Sequence, residues 1–251
     1  MKRFKQSTVV IIGAESTIGQ AAAIRFACEG ANVVLIGHLS NELARTAKQL
    51  PHDNTWIQSD NYLTITCDIK DPNQVQTMIQ EIKQRFGKID ILVNKVGFAI
   101  EDNAEVRSTP QTTDNDWHHA IQTDRQSFEA LCQKLLPELT KSRGSIINIL
   151  TSFNNQSAAY QDAKISIQTL TQRLALSFAK NGVRVNLVHS NALVSNVDHQ
   201  PPLATISPLD CPATPKAIAA ATAFLASQDA AAITGVSLPV DGGFDISDDD
   251  F

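Results

Sequence analysis

Short runs of β-branched and apolar residues recur along this chain, and a segment of helical character separates each from the next. The first run is Thr8-Val9-Val10-Ile11-Ile12. A turn from Gly13 to Gly19 follows, then an alanine-rich stretch over 20–28 and a second run, Asn32-Val33-Val34-Leu35-Ile36. An unbroken apolar run of this length suits a strand buried on both faces. Strand, glycine-bearing turn, helix and strand then read as a βαβ unit. The alternation continues with a helix over 41–50, a strand over 63–66, a helix over 72–86 opened by Pro72, and a strand over 89–93. A long helix capped by Asp114 or Asn115 precedes a strand over 145–150, and the helix that carries Tyr160 runs to Lys180. A strand over 183–188, a helix over 216–227 and a strand over 236–240 complete the series. Such a pattern folds as an α/β protein, a doubly wound parallel sheet of about seven strands with helices on both faces.

The 251 residues, 43% of them hydrophobic, supply ample core for one domain spanning 1–251, and no linker or repeat divides it. Residues 190–215 hold five prolines and read as a lid loop; residues 245–251 read as an acidic tail, frayed or docked against a partner subunit. The net charge of −5 comes with scattered Lys and Arg, which argues against a nucleic-acid partner. Cys28, Cys67, Cys132 and Cys211 are widely spaced, so neither a disulfide framework nor a zinc site is expected. His118 and His119 are adjacent and point to different faces of a helix, so no metal is expected there. The apolar run 9–12 after the basic start is too short for a leader or a membrane span, which makes a soluble, cytoplasmic protein the expectation.

Ligands of open α/β sheets bind beyond the carboxyl ends of the strands. Gly13, Asp68, Asn94, Thr151 and Ser190 all follow predicted strands and should converge there. The turn Gly13-Ala14-Glu15-Ser16-Thr17-Ile18-Gly19 reads either as a pyrophosphate cradle at a helix N-terminus or as a tight turn without ligand. Thr17 replaces the middle glycine of the dinucleotide pattern, and Glu15 adds a negative charge beside the phosphates. The second strand ends Ile36-Gly37-His38, with neither the carboxylate that reads a ribose 2′-hydroxyl nor an arginine for a 2′-phosphate. His38 leans towards NADP(H) over NAD(H), and Glu15 leans the other way.

Tyr160 and Lys164 are four residues apart on one predicted helix, hence on one face. A cation beside the phenol favours the phenolate, which suits the tyrosine to proton transfer near neutral pH.

Taken together, these pieces make the chain similar to the short-chain dehydrogenase/reductase family along nearly its whole length. The carriers are Gly13-x5-Gly19, Asp68, Asn94-Lys95-Val96-Gly97, Trp117, Gly144-Ser145-Ile146-Ile147-Asn148-Ile149, Tyr160 with Lys164, Ile233-Thr234-Gly235 and Val240-Asp241-Gly242-Gly243. The resemblance implies a Rossmann-like fold and hydride exchange between a nicotinamide cofactor and a carbonyl or alcohol. It implies Tyr160 as general acid/base and Lys164 as its tuning cation and ribose ligand. Thr151 or Ser152 would bond the substrate oxygen, and Asp124 stands where the family has the Asn of a proton relay. Gly13, Ser16, Thr17, Ile18, Gly19, His38, Asp68, Ile69, Asn94 and Gly97 would hold the cofactor. Leu193 and Ser195 would meet its carboxamide. Several positions depart from the family pattern: Thr17, Lys95, Asp124, Thr151 and Ser190-Asn191, together with a shortened 151–160 stretch. These departures make a nucleotide-binding sensor or assembly subunit without turnover the alternative to an enzyme. By resemblance the chain is a homo-oligomer, a tetramer or a dimer. The lid's prolines and apolar residues suggest an apolar, neutral substrate.

Overall fold

A computed structural model describes residues 2–51, 61–96, 114–151, 158–190, 207–211 and 213–246, apart from the side chains of 114–121, 158–160 and 246. Seven parallel strands form one sheet, β1 (Thr8–Ile12), β2 (Asn32–Gly37), β3 (Tyr62–Thr66), β4 (Ile91–Val96), β5 (Ser145–Thr151), β6 (Arg184–Ser190) and β7 (Ser237–Pro239). Their order is β3-β2-β1-β4-β5-β6-β7, with every pairing parallel. The helices are α1 (Thr17–Cys28), α2 (Ser40–Gln49), α3 (Pro72–Phe86), α4 (Asp114–Ser142), α5 (Ala158–Phe178) and α6 (Pro215–Ala226).

Successive strand side chains point to opposite faces, and both faces are covered. Val9, Ile11, Val33 and Leu35 pack with Ala22, Phe26, Ile218 and Ala223 of α1 and α6. Val10, Val34, Leu92 and Ile146 pack on the other side with Met78, Ile82, Phe128, Leu131, Leu174 and Phe178 of α3, α4 and α5. This two-sided burial is why the strands read as solid apolar runs. Among the described residues, no helix is long and apolar enough to cross a membrane.

Two boundaries differ by three residues from the sequence expectation. Helix α1 begins at Thr17 and not at residue 20, because Ser16 caps it: its Oγ accepts the Gly19 N–H at 3.1 Å and donates to the Gly13 carbonyl at 2.7 Å. Strand β4 runs two to three residues later than 89–93. Asp90 is used before it, its carboxylate accepting the Thr8 N–H at 2.7 Å. Asn94, Lys95 and Val96 extend the strand by pairing with Asn148, Ile149 and Leu150. Thr151 and Ser190, expected just beyond their strands, are the paired last residues of β5 and β6.

Candidate active site

The strand order reverses between β1 and β4, and that switch point is where a doubly wound sheet opens a crevice. A cleft of about 210 Å³ lies there, lined by Gly13, Glu15 and Ser16 of the turn, Gly37 and His38 after β2, Cys67, Ile69 and Lys70 after β3, Asn94, Lys95 and Val96 of β4, and Asp124 and Phe128 of α4. Gly13 has φ +73°, a left-handed conformation that side chains disfavour. A Cβ on Gly19 would strike the Gly13 carbonyl, so the helix mouth sits tight against the turn. Ser16 Oγ engages the Gly19 N–H and the Ser16 carbonyl engages that of Gln20. At the start of a helix this leaves the N–H groups of Thr17 and Ile18 as orphan donors for an anion. Thr17 is exposed at that mouth and is absent from the positive-φ residues, so the backbone does not require glycine there. The donor set, the close-packed turn and an unpartnered carboxylate oxygen on Glu15 fit the adenosine and pyrophosphate of a dinucleotide.

Around the cleft, burial pushes the Cys67 thiol up to about 11, with Asp68 and Asp71 adding to the effect, so Cys67 is a neutral wall and not a nucleophile. Asp124 pairs with Lys70 at 3.2 Å. Burial raises its carboxyl above the ordinary range despite the opposing pull of Lys70, Lys95 and His38.

A second group of polar residues gathers at the ends of β6 and β7. Lys164 follows position 160 by one turn on α5, and its Nζ donates to Asp245 Oδ2 at 2.7 Å. His189 Nδ1 lies 3.6 Å from the same oxygen and is 3% exposed as a residue. Asp241 fixes this corner by accepting the N–H groups of Gly243 and Asp245 at 2.9 and 3.0 Å. Burial, then the Lys164 ammonium, lower the pKa of His189 against the pull of Asp245 and Asp241, so it is neutral at pH 7. Thr151 is buried beside Ser190.

The structure therefore brings Gly13, Ser16, His38, Ile69, Asn94 and Asp124 to one cleft, with Thr17, Ile18 and Gly19 in the adjoining first turn of α1. Asp68 shapes the turn ahead of α3, its Oδ1 accepting the Lys70 N–H at 2.9 Å. Gly97, Ser152, Leu193, Ser195 and the Tyr160 side chain lie outside the described residues. Sequence reasoning missed Lys70 and His189 altogether. It weighed Glu15 only as a repulsive charge. Asp245, the first residue of the segment expected to fray or to dock on a partner, pairs with Lys164 of its own chain, and residues 247–251 lie outside the described residues. Asp245 carried no local signal, being 81 residues from its partner. Glu15 carried one, the absence of a carboxylate at Gly37.

A family model described as enoyl-(acyl carrier protein) reductase matches residues 13–245. A meso-2,3-butanediol dehydrogenase from Serratia marcescens is 32% identical over 98% of this chain and 97% of its own length. A short-chain dehydrogenase/reductase of unknown function from Caenorhabditis elegans, solved with cofactor, matches with a TM-score of 0.79 at 28% identity, covering 97% of each chain. A 3-ketoacyl-(acyl-carrier-protein) reductase from Brucella melitensis, complexed with NADH, matches with a TM-score of 0.78 at 25% identity, over 96% of this chain and 98% of that one. The sheet order and the switch-point cleft define a dinucleotide-binding α/β protein, and the relatives make its class that of NAD(P)-dependent oxidoreductases. The chain belongs to the short-chain dehydrogenase/reductase family.

Proposed function

We propose that this oxidoreductase interconverts a carbonyl and an alcohol on a small neutral molecule, with Tyr160 as general acid/base. The observation that carries the reading is the position of Lys164. Its ammonium is half-buried one helical turn beyond residue 160 and is held by Asp245 beside the end of β6. The bound nicotinamide supplies or accepts the hydride. The chain's own residues handle the proton and the oxygen. Tyr160 donates a proton to the carbonyl oxygen in reduction and removes it in oxidation. Lys164 favours the phenolate between those events. Thr151 or Ser152, at the end of β5, donates to the substrate oxygen as charge grows on it. Asp124 takes the relay position. Thr17, Ile18, Asp68, Asn94 and Gly97 hold the dinucleotide, with Leu193 and Ser195 at its carboxamide.

We also propose that the chain self-associates through α5. Ile165 is 63% and Leu176 80% exposed on that helix. Eleven residues is close to three full turns, so the two share one face. Light scattering on the purified protein tests this, and a monomer at micromolar concentration overturns it.

Turnover of NADH or NADPH with a panel of ketones, aldehydes and vicinal diols tests the chemistry. Tyr160→Phe is expected to lower turnover about 10²–10⁴-fold while melting and cofactor binding stay unchanged. A cofactor at a hundredfold over its Kd should stabilise the fold by about 2.7 kcal/mol, and no shift with either one overturns the reading. The Lys164–Asp245 ion pair, which engages the catalytic ammonium, favours a second reading as a sensor or assembly subunit. Cofactor binding without turnover across the panel would select it.

A further inference from the structure

We infer that Glu15, reaching out of the glycine turn, accepts the adenosine-ribose 2′-hydroxyl and makes this chain select NAD(H) over NADP(H). The inference rests on the dinucleotide reading of the cleft. In doubly wound sheets the acid that reads this hydroxyl stands at the end of the second strand, about 20 residues beyond the turn. Here β2 ends at Gly37. No side chain fits there, because a Cβ on Gly37 would collide with the Glu15 carboxylate. A carboxylate therefore occupies the expected volume, but it is delivered from β1's turn and not from β2.

The two oxygens of Glu15 have different surroundings. Oε1 accepts the His38 N–H at 3.0 Å, which fixes the group against the end of β2. Oε2 is shielded from solvent and has no hydrogen-bond donor among the described residues. A buried acceptor left unmade is costly, and a ribose hydroxyl is the donor it lacks. Glu15, Gly37 and His38 all line the cleft, so the side chain that carries this oxygen borders it. A 2′-phosphate would instead set like charge against like at short range. Of the cleft's lysines, Lys70 is paired with Asp124, and the Lys95 stem packs against Gly13, 3.3 Å from where a Cβ would stand. His38 contributes its backbone N–H to the carboxylate.

Calorimetric titration with NADH and NADPH, and with 5′-ADP and 2′,5′-ADP as probes of the adenosine end, tests this on the wild type, Glu15→Ser, Glu15→Gln and the double variant Glu15→Ser/Gly37→Asp. The wild type is expected to bind NADH at least about tenfold tighter than NADPH, and 5′-ADP tighter than 2′,5′-ADP. Glu15→Ser and Glu15→Gln should bring each ratio to within about threefold. The double variant should restore the selectivity, because removing Glu15 clears space at position 37 for an acid on β2. Melting curves confirm that each variant is folded. Equal binding of NADH and NADPH by the wild type, or selectivity that survives in both single variants, overturns the Glu15 assignment and leaves the dinucleotide reading intact. Binding of neither cofactor overturns that reading and this inference with it.

Discussion

Helix α1 has a glutamate at each end, and the two are treated differently. Glu29, at the C-cap, accepts from Arg3 at 2.6 and 2.8 Å and from Arg25 at 2.5 Å. Burial pushes its carboxyl up, and the two guanidinium groups more than reverse that, holding it below the ordinary carboxylate range. A bare acid at a helix C-terminus would oppose the helix dipole; here the arginines compensate. Glu15, before the N-terminus, has one backbone donor for one oxygen and, among the described residues, none for the other. The contrast extends along the two edges of the sheet. At the amino edge Arg184 donates to the carbonyls of Leu225, Ala226, Ser227 and Ile233. Among the described residues Glu15 Oε2 and His189 Nδ1 at the carboxyl edge lack hydrogen-bond partners, whereas the unpartnered atoms at the amino ends of strands, Thr8 Oγ1 and Ser237 Oγ, are uncharged hydroxyls. The amino edge closes its charges on itself and stabilises the fold. The carboxyl edge keeps an unpartnered carboxylate oxygen and an imidazole nitrogen.

The largest effect is expected at the carboxyl edge and in rate alone. Lys164→Ala should cut turnover about 10²–10³-fold, read by steady-state kinetics, and should move the melting midpoint by less than about 3 °C. A large loss of stability with unchanged rate would reverse the assignment of the two edges. Next comes Glu29→Ala, which strands two arginines and should destabilise by about 2–3 kcal/mol. That corresponds to about 5–10 °C in Tm for a chain of this size, with NADH affinity unchanged by calorimetry.

The pH response sharpens the comparison further. The folded pKa of His189 lies below its unfolded value of about 6.5. Between those two values the unfolded chain binds more protons, so stability is fully present above about pH 6.5 and declines as pH falls towards the folded value. Denaturant melts of wild type and His189→Gln over that window should show a shallower decline in the variant. Parallel curves would remove His189 from the account. The smallest effect belongs to Glu15→Gln, whose stability should stay within about 0.5 kcal/mol of wild type; a loss as large as that of Glu29→Ala would erase the difference between the two ends of α1.

Much of the architecture was legible along the chain. The runs 8–12, 32–36 and 145–150 are strands because residues buried on both faces are predominantly apolar, and that tendency is local. Pro72 opens α3 where expected, with Asp71 capping it. Strand β4 was misplaced because Ile89 and Asp90 are as buried as a strand, while the pairing that extends it to Val96 comes from β5. In the site, the turn residues and the spacing of Tyr160 and Lys164 could be read directly, since a glycine pattern and an i,i+4 pair are properties of one segment. His38 and Glu15 lean opposite ways on NADP(H), and their positions along the chain do not weigh one against the other. In the folded chain His38 is an exposed residue at the cleft rim, and its N–H donates to Glu15.

The sequence alone determined the alternation of strand and helix, the parallel sheet it implies, and the family motifs in their order, because periodicity and turn chemistry are written within a few residues. Only the tertiary structure decided that Glu15 occupies the volume above Gly37, 22 positions away, and that Asp245 holds Lys164 across 81 residues. Contacts of that range depend on strand order and on how far a side chain reaches between elements, and neither is encoded in any single stretch of the chain.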